Sequence, residues 1–153
     1  FSSDILSYHL TDFTGFDHPM IRTAVGLYGT TEILGVKNNP TIVEFFHATG
    51  HRNINDDETH WCSAFIMYCA KMNGLVYPKN AVARSWMKVG KKVEQPRVGD
   101  LVVFGWGQSY HGHVVIYLGE KEGMIIGLGG NQDDEVNVTL FSKESILGYR
   151  RLN

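Results

Sequence analysis

Two cysteines, Cys62 and Cys69, stand seven residues apart in "ETHWCSAFIMYCAKMNG" (58–74), and the chain has no third. A disulfide between them fails on geometry. Seven helical residues rise about 10 Å, whereas bridged Cα atoms normally lie below about 7 Å apart. A structural zinc needs four convergent ligands. His60, Cys62, His111 and His113 carry suitable atoms, but there is no CxxC pair, and His60 and Cys62 would point about 200° apart on a helix. No metal site is expected. Cys69, among Ile66, Met67 and Met72, reads as a small core residue. Cys62 differs because it falls near the start of the helix. Unpaired backbone N–H groups and the helix dipole favour a thiolate there, and the same donors can receive an oxyanion.

A reactive thiol needs a base, and "SYHGHVVIYLG" (109–119) offers His111 and His113. His113 opens a strand and is rigidly placed, while His111 lies among glycines on a loop. A third polar group must hold the imidazole in its tautomer. The following strand ends in "LGGNQDD" (128–134), and one hairpin register brings that end beside the start of the His113 strand. Asn131, Gln132 and Asp133 are then all candidates. The loop "FGWGQSYHGH" (104–113) supplies Trp106, Gln108 and Tyr110 as possible groove lining, with Trp61 beside the cysteine. Trp106 would alternatively alternate into the core.

Helices must carry the cysteine and strands the histidine. "MIRTAVGLYG" (20–29) has helical spacing through Ile21, Ala24, Val25 and Tyr28. In "NNPTIVEFFHATG" (38–50) Asn39 caps, Pro40 suits the first turn and Gly50 the exit. Thr59 is the expected cap of the cysteine helix, whose wide apolar arc predicts a central, buried position. "AVARSWMKVG" (81–90) reads as a further short helix. From Pro96 onward short β-branched and aromatic runs alternate with glycine, and "GEKEG" (119–123) marks a hairpin turn. Helices first and strands second predict an α+β fold with an antiparallel sheet. Residues 1–19 read as a loosely structured lead-in, and 20–153 as one domain.

Length and composition limit the function. At 153 residues, 43% hydrophobic and 20% charged, the chain has the composition of a globular domain. A net charge of −2 gives no electrostatic footprint for nucleic acid. No apolar run approaches the roughly 20 residues that span a bilayer. The opening "FSSDILSYHLTDFTGF" has no basic leader or apolar h-region, so no signal peptide is read; with no initial Met, it reads as a processed product or a fragment. "GLGGNQ" lacks the spacing of a nucleotide-binding glycine loop.

Taken together, "HWCSAFIMYCAKMNG", "AVARSWMKVG", "PRVGDLVVF", "GHVVIYLG" and "LGGNQDDEVNV…ILGYRR" resemble the papain-like cysteine amidases and peptidases of bacterial cell walls, the group containing the CHAP and NlpC-like domains. Within that group the small endolysin- and effector-type proteins are the most similar, and "ILGVKNNPTIVEFF" resembles their N-terminal segment. The resemblance implies a papain-like fold, with N-terminal helices packed on a central antiparallel sheet. It implies Cys62 as nucleophile, His113 as general base and Asn131 as orienting residue, with Gln132 as the alternative and Asp100 structural.

The reaction so implied is hydrolysis of an amide bond in peptidoglycan, as a stem-peptide or cross-link endopeptidase or an N-acetylmuramoyl-L-alanine amidase, with no cofactor. It would act at the bacterial cell wall, as an endolysin or an antibacterial toxin, and an effector would imply an immunity protein. Oligomeric state is not legible. The alternative from another class is a non-catalytic papain-like module that binds a wall fragment or a protein partner. An inert Cys62 would mark that alternative.

Overall fold

The computed structural model describes residues 3–34, 37–56, 60–107 and 111–152. Three helices come first: α1 (Pro19–Val25), α2 (Pro40–Ala48) and α3 (Cys62–Met72). The strands are β1 (Ser3–Leu6), β2 (Lys91–Val93), β3 (Leu101–Gly105), β4 (Gly112–Lys121), β5 (Met124–Gln132), β6 (Glu135–Phe141) and β7 (Ile146–Arg151). They form one antiparallel sheet in the order β1-β6-β5-β4-β3-β7-β2. This is an α+β fold, with the helices packed on the sheet.

Local sequence explains the element ends. The Asn39 side chain accepts the Thr41 N–H at 2.9 Å, and Pro40 opens α2. At its exit Thr49 donates to the Phe45 carbonyl at 2.7 Å, and Gly50 turns the chain at φ 97°. Helix α3 begins at Cys62 with Trp61 in the cap position and no side-chain cap bond; the expected cap, Thr59, lies outside the described residues. Eight of its residues, from Cys62 to Ala70, are buried, so α3 is the central helix. The β4–β5 hairpin turns through Glu122 and Gly123, both at positive φ, and Lys121 pairs with Met124. Two left-handed residues match the natural strand twist.

Alternate residues of each strand face two different cores. Val103, Val114, Ile116, Leu128, Val136 and Val138 pack under the helices with Phe45, Phe65 and Ile66. Val102, Phe104, Val115, Tyr117, Ile125 and Phe141 form a second cluster on the opposite face. The rings of Phe104 on β3 and Phe141 on β6 have centroids 5.1 Å apart, although β4 and β5 lie between these strands. Three strand spacings in a flat sheet would hold them about 14 Å apart. The sheet must therefore curl, and this second face buries itself.

Two expectations change. The lead-in expected over residues 1–19 is not loose in its described part, residues 3–19: β1 pairs with β6 from Ser3↔Phe141 to Leu6↔Val138, and Phe13 is buried against the rings of Tyr8 and Tyr28. Residues 83–88 form a 3-10 turn rather than an α-helix. Strand β2 has no apolar alternation and was not read. Asp100 is structural, as expected. It is buried, accepts the Arg97 N–H at 2.7 Å and takes a two-pronged ion pair from Arg151 at 2.8 and 2.7 Å. Among the described residues no helix is long and apolar enough to cross a membrane.

Candidate functional site

Three element ends meet at Cys62: the start of α3, the start of β4 and the end of β5. The β4–β5 ladder runs from the hairpin as far as Ile116↔Leu128. Beyond it the backbone amides of Val114, Ser63 and Cys62 itself act on the Cys62 sulfur as donors that lower its pKa. Those donors favour the thiolate, but burial opposes them and wins, pushing the thiol up to about 11. Cys62 and Cys69 are both free and buried, and burial raises Cys69 further still.

His113 is buried against Phe141, with ring centroids 5.4 Å apart. Its Nε2 lies 3.0 Å from Gln132 Oε1. The Gln132 amide nitrogen donates to the Asn137 carbonyl at 2.8 Å and to Asn137 Oδ1 at 2.8 Å, so the oxygen end of the amide is the one turned to the imidazole. His113 therefore donates from Nε2–H, and in the neutral ring Nδ1 is the unprotonated nitrogen. Burial lowers the imidazole to about 4, and the Gln132 bond only partly offsets it.

Of the two candidates for the orienting position, Gln132 is the one bonded to His113. Strict alternation would turn Gly127, Gly129 and Asn131 to the inner face. A register shift between Gly129 and Gln132 breaks that alternation. Asn131 takes the left-handed conformation at φ 55° and Gln132 turns inward instead. The two glycines before it are spatial requirements. A Cβ on Gly129 would stand 2.4 Å from Gln132 Oε1, and one on Gly130 would stand 2.6 Å from the Trp61 ring.

A cavity of about 540 Å³ opens on one side of Cys62, walled by Phe46, Ile54, Ala81, Val82, Ala83 and Trp106, with His51, His60 and His111 around it. A smaller one of about 270 Å³ lies on the other side, reaching His113, Asn131 and Gln132. Both are lined by His60, Cys62, Trp106 and Gly112, so they form one groove with the thiol in its floor. Trp106 is 38% exposed and lines it. Trp61 does not. It is fully buried, donates to Glu32 Oε2 at 2.9 Å and packs on Phe45. Gln108 and Tyr110 lie outside the described residues. The wall residues 46, 54 and 81–83 carried no sequence signal, because they come from three separate segments. Among the described residues no group of three or more His, Cys, Asp or Glu side chains is placed to hold a metal ion.

The NlpC/P60 family model matches residues 45–146, which include every residue lining this groove. The chain belongs to the NlpC/P60 family. Two solved structures share its fold. One is a protein similar to lipoprotein of the NLP/P60 family from Staphylococcus aureus. It is 20% identical with a TM-score of 0.54, and the match covers 87% of this chain but 40% of that one. The other is RipD from Mycobacterium tuberculosis, a non-catalytic NlpC/p60 domain protein adapted to peptidoglycan binding. It is 23% identical with a TM-score of 0.51, and the match covers 95% and 97% of the two chains. No curated protein matches the chain.

These findings correct the expectation of a cysteine hydrolase. What is shown is membership in the NlpC/P60 family at large. The neighbour that matches from end to end is non-catalytic, and a shared fold does not carry activity with it. Burial acts against charge on both groups, raising the Cys62 thiol and lowering the His113 imidazole.

Proposed function

We propose that this NlpC/P60 chain is a non-catalytic module that binds peptidoglycan in the groove over Cys62. The observation that carries the reading is an open, largely apolar groove with the buried Cys62 in its floor, in a fold shared over nearly its full length with a non-catalytic, peptidoglycan-binding domain. Such a groove offers surface and shape to a ligand. The exposed Trp106 indole is a platform for the apolar face of a sugar or a peptide side chain. His51, His60 and Asn80 add polar contacts along the rim. The place of action is then the cell wall or the extracellular side, where that ligand lies. An immunity partner, implied only by a toxin, has no part in this reading.

The test is co-sedimentation with purified sacculi, with soluble products identified by mass spectrometry. The wild-type chain and Cys62→Ala should sediment alike and release no fragments. Trp106→Ala should bind about tenfold more weakly, as loss of an interfacial aromatic anchor does. Release of muropeptides by the wild type and not by Cys62→Ala would overturn the reading, and so would failure to sediment.

A further inference from the structure

The 3-10 turn of residues 83–88 has the groove on one side and a second depression on the other. This depression, about 780 Å³, is lined by Lys79, Arg84 and Lys88 together with Asn80, Val82 and Ser85. Asn80 and Val82 also line the groove, so the two are continuous. Three cations and no carboxylate line it, in a chain with 16 acidic residues against 14 basic ones. Among the described residues none of the three forms an ion pair. Like charges gathered round one hollow repel one another, and an anion between them relieves that repulsion.

Arg84 is fixed in place. Its Nε donates to the His111 carbonyl at 2.9 Å and its Nη2 to the Trp106 carbonyl at 3.1 Å. Its side chain lies across Gly105 and Gly112, which face each other in the β3–β4 ladder. A Cβ on Gly105 would stand 2.8 Å from Arg84 Cζ, and one on Gly112 would stand 3.1 Å from Cγ. Leu147 Cδ1 at 2.6 Å from the first and the Phe104 carbonyl at 2.7 Å from the second come closer still, so the two glycines make room for Arg84 together with these neighbours. Its two bonds hold the groove-lining loop and leave Nη1 outside both. A guanidinium ordered before binding loses little entropy when it meets an anion. Lys79 and Lys88 are exposed and supply adaptable charge on either side.

We propose that this depression is an anion subsite, taking free carboxylates of a peptide whose remainder lies in the groove. That the anion belongs to a wall peptide rests on the binding function above; the anion site rests on the three cations alone.

The test uses the whole chain and two probes. The first is tricarballylate, a small tricarboxylate, followed by amide NMR shifts. The shifts should gather at residues 79–89, and affinity should fall about fivefold between about 0.05 and about 0.3 M salt. The double variant Lys79→Gln, Lys88→Gln, altered at exposed positions, should bind about tenfold more weakly. The second probe is soluble muropeptide, with carboxylates free or converted to amides. Free acids should bind the wild type about fivefold better, and the double variant should not distinguish them.

Shifts scattered over the surface, or equal tricarballylate binding by the double variant, would overturn the subsite. If muropeptides bind but amidation changes nothing, the subsite fails while the binding function stands. If tricarballylate binds at 79–89 and no muropeptide binds, the anion site stands and its peptide ligand is refuted.

Discussion

The two faces of the sheet bury their side chains in opposite ways. Under the helices, Val103, Val114, Leu128 and Val138 meet Trp61, Phe65 and Ile66 in an almost wholly apolar core. Inside the curl, Phe104, Val115 and Phe141 share their space with His113, Gln132, Asn137 and Thr139. The first core is held by area and tolerates any arrangement that fills it. In the second each polar atom must find its partner, because an unmet buried donor costs about 1–3 kcal/mol. Gln132 meets this by donating to Asn137 and to Thr139 while accepting from His113. The dry face fixes where the elements lie, and the polar face fixes how one ring is turned.

The sharpest way to break this contrast is on the dry face. Trp61→Ala removes a fully buried indole and should cost about 4 kcal/mol, read from urea unfolding. The inner face should answer to pH instead. The folded imidazole titrates near 4 and an unfolded one near 6.5, so the unfolded chain binds the extra proton between those values. Stability is therefore complete above about pH 6.5 and declines as pH falls toward 4, by about 3 kcal/mol. His113→Gln should flatten that slope, and an unchanged slope would place the titration elsewhere.

Smaller effects follow. Gln132→Ala takes the acceptor from the His113 N–H and leaves Asn137 Oδ1 only its bond from Thr139, and should cost about 2 kcal/mol while raising the mobility of the ring by NMR. Cys62→Ala should change stability by only about 1 kcal/mol, since it deletes one buried sulfur. In the intact protein Cys62 should resist iodoacetamide at pH 8 almost as well as Cys69 does. Rapid, selective alkylation of Cys62 would contradict the neutral thiol.

The sequence was most readable where one physical signal acted alone. Asn39 and Pro40 announced α2, the β-branched runs announced β3 to β6, and the Glu122–Gly123 turn stood out between two of them. Cys62, His113 and Gln132 do converge, and all three were named from their types and positions. Asn131 ranked ahead of Gln132 because the family resemblance placed the orienting residue there by position, and position in the sequence takes no account of a register shift, which exchanges the faces of a strand. Strands β1 and β2 were missed for a related reason. They lie at the two edges of the sheet, where a strand is specified by its neighbour more than by its own pattern. The catalytic expectation rested on which residues meet. It did not include how deeply they are buried, which sets their charge and is decided by the packing of distant segments.

The pairing of β1 with β6 has a consequence for the order of assembly. On the ribosome Ser3–Leu6 emerges before the other strands of the sheet, yet its partner is complete only when synthesis has passed Phe141. Meanwhile the β3–β6 portion consists of near neighbours in sequence, whose loops close at little entropic cost. The earliest strand to be made is thus the last to dock, and its amides should be the first of the sheet to exchange with deuterium.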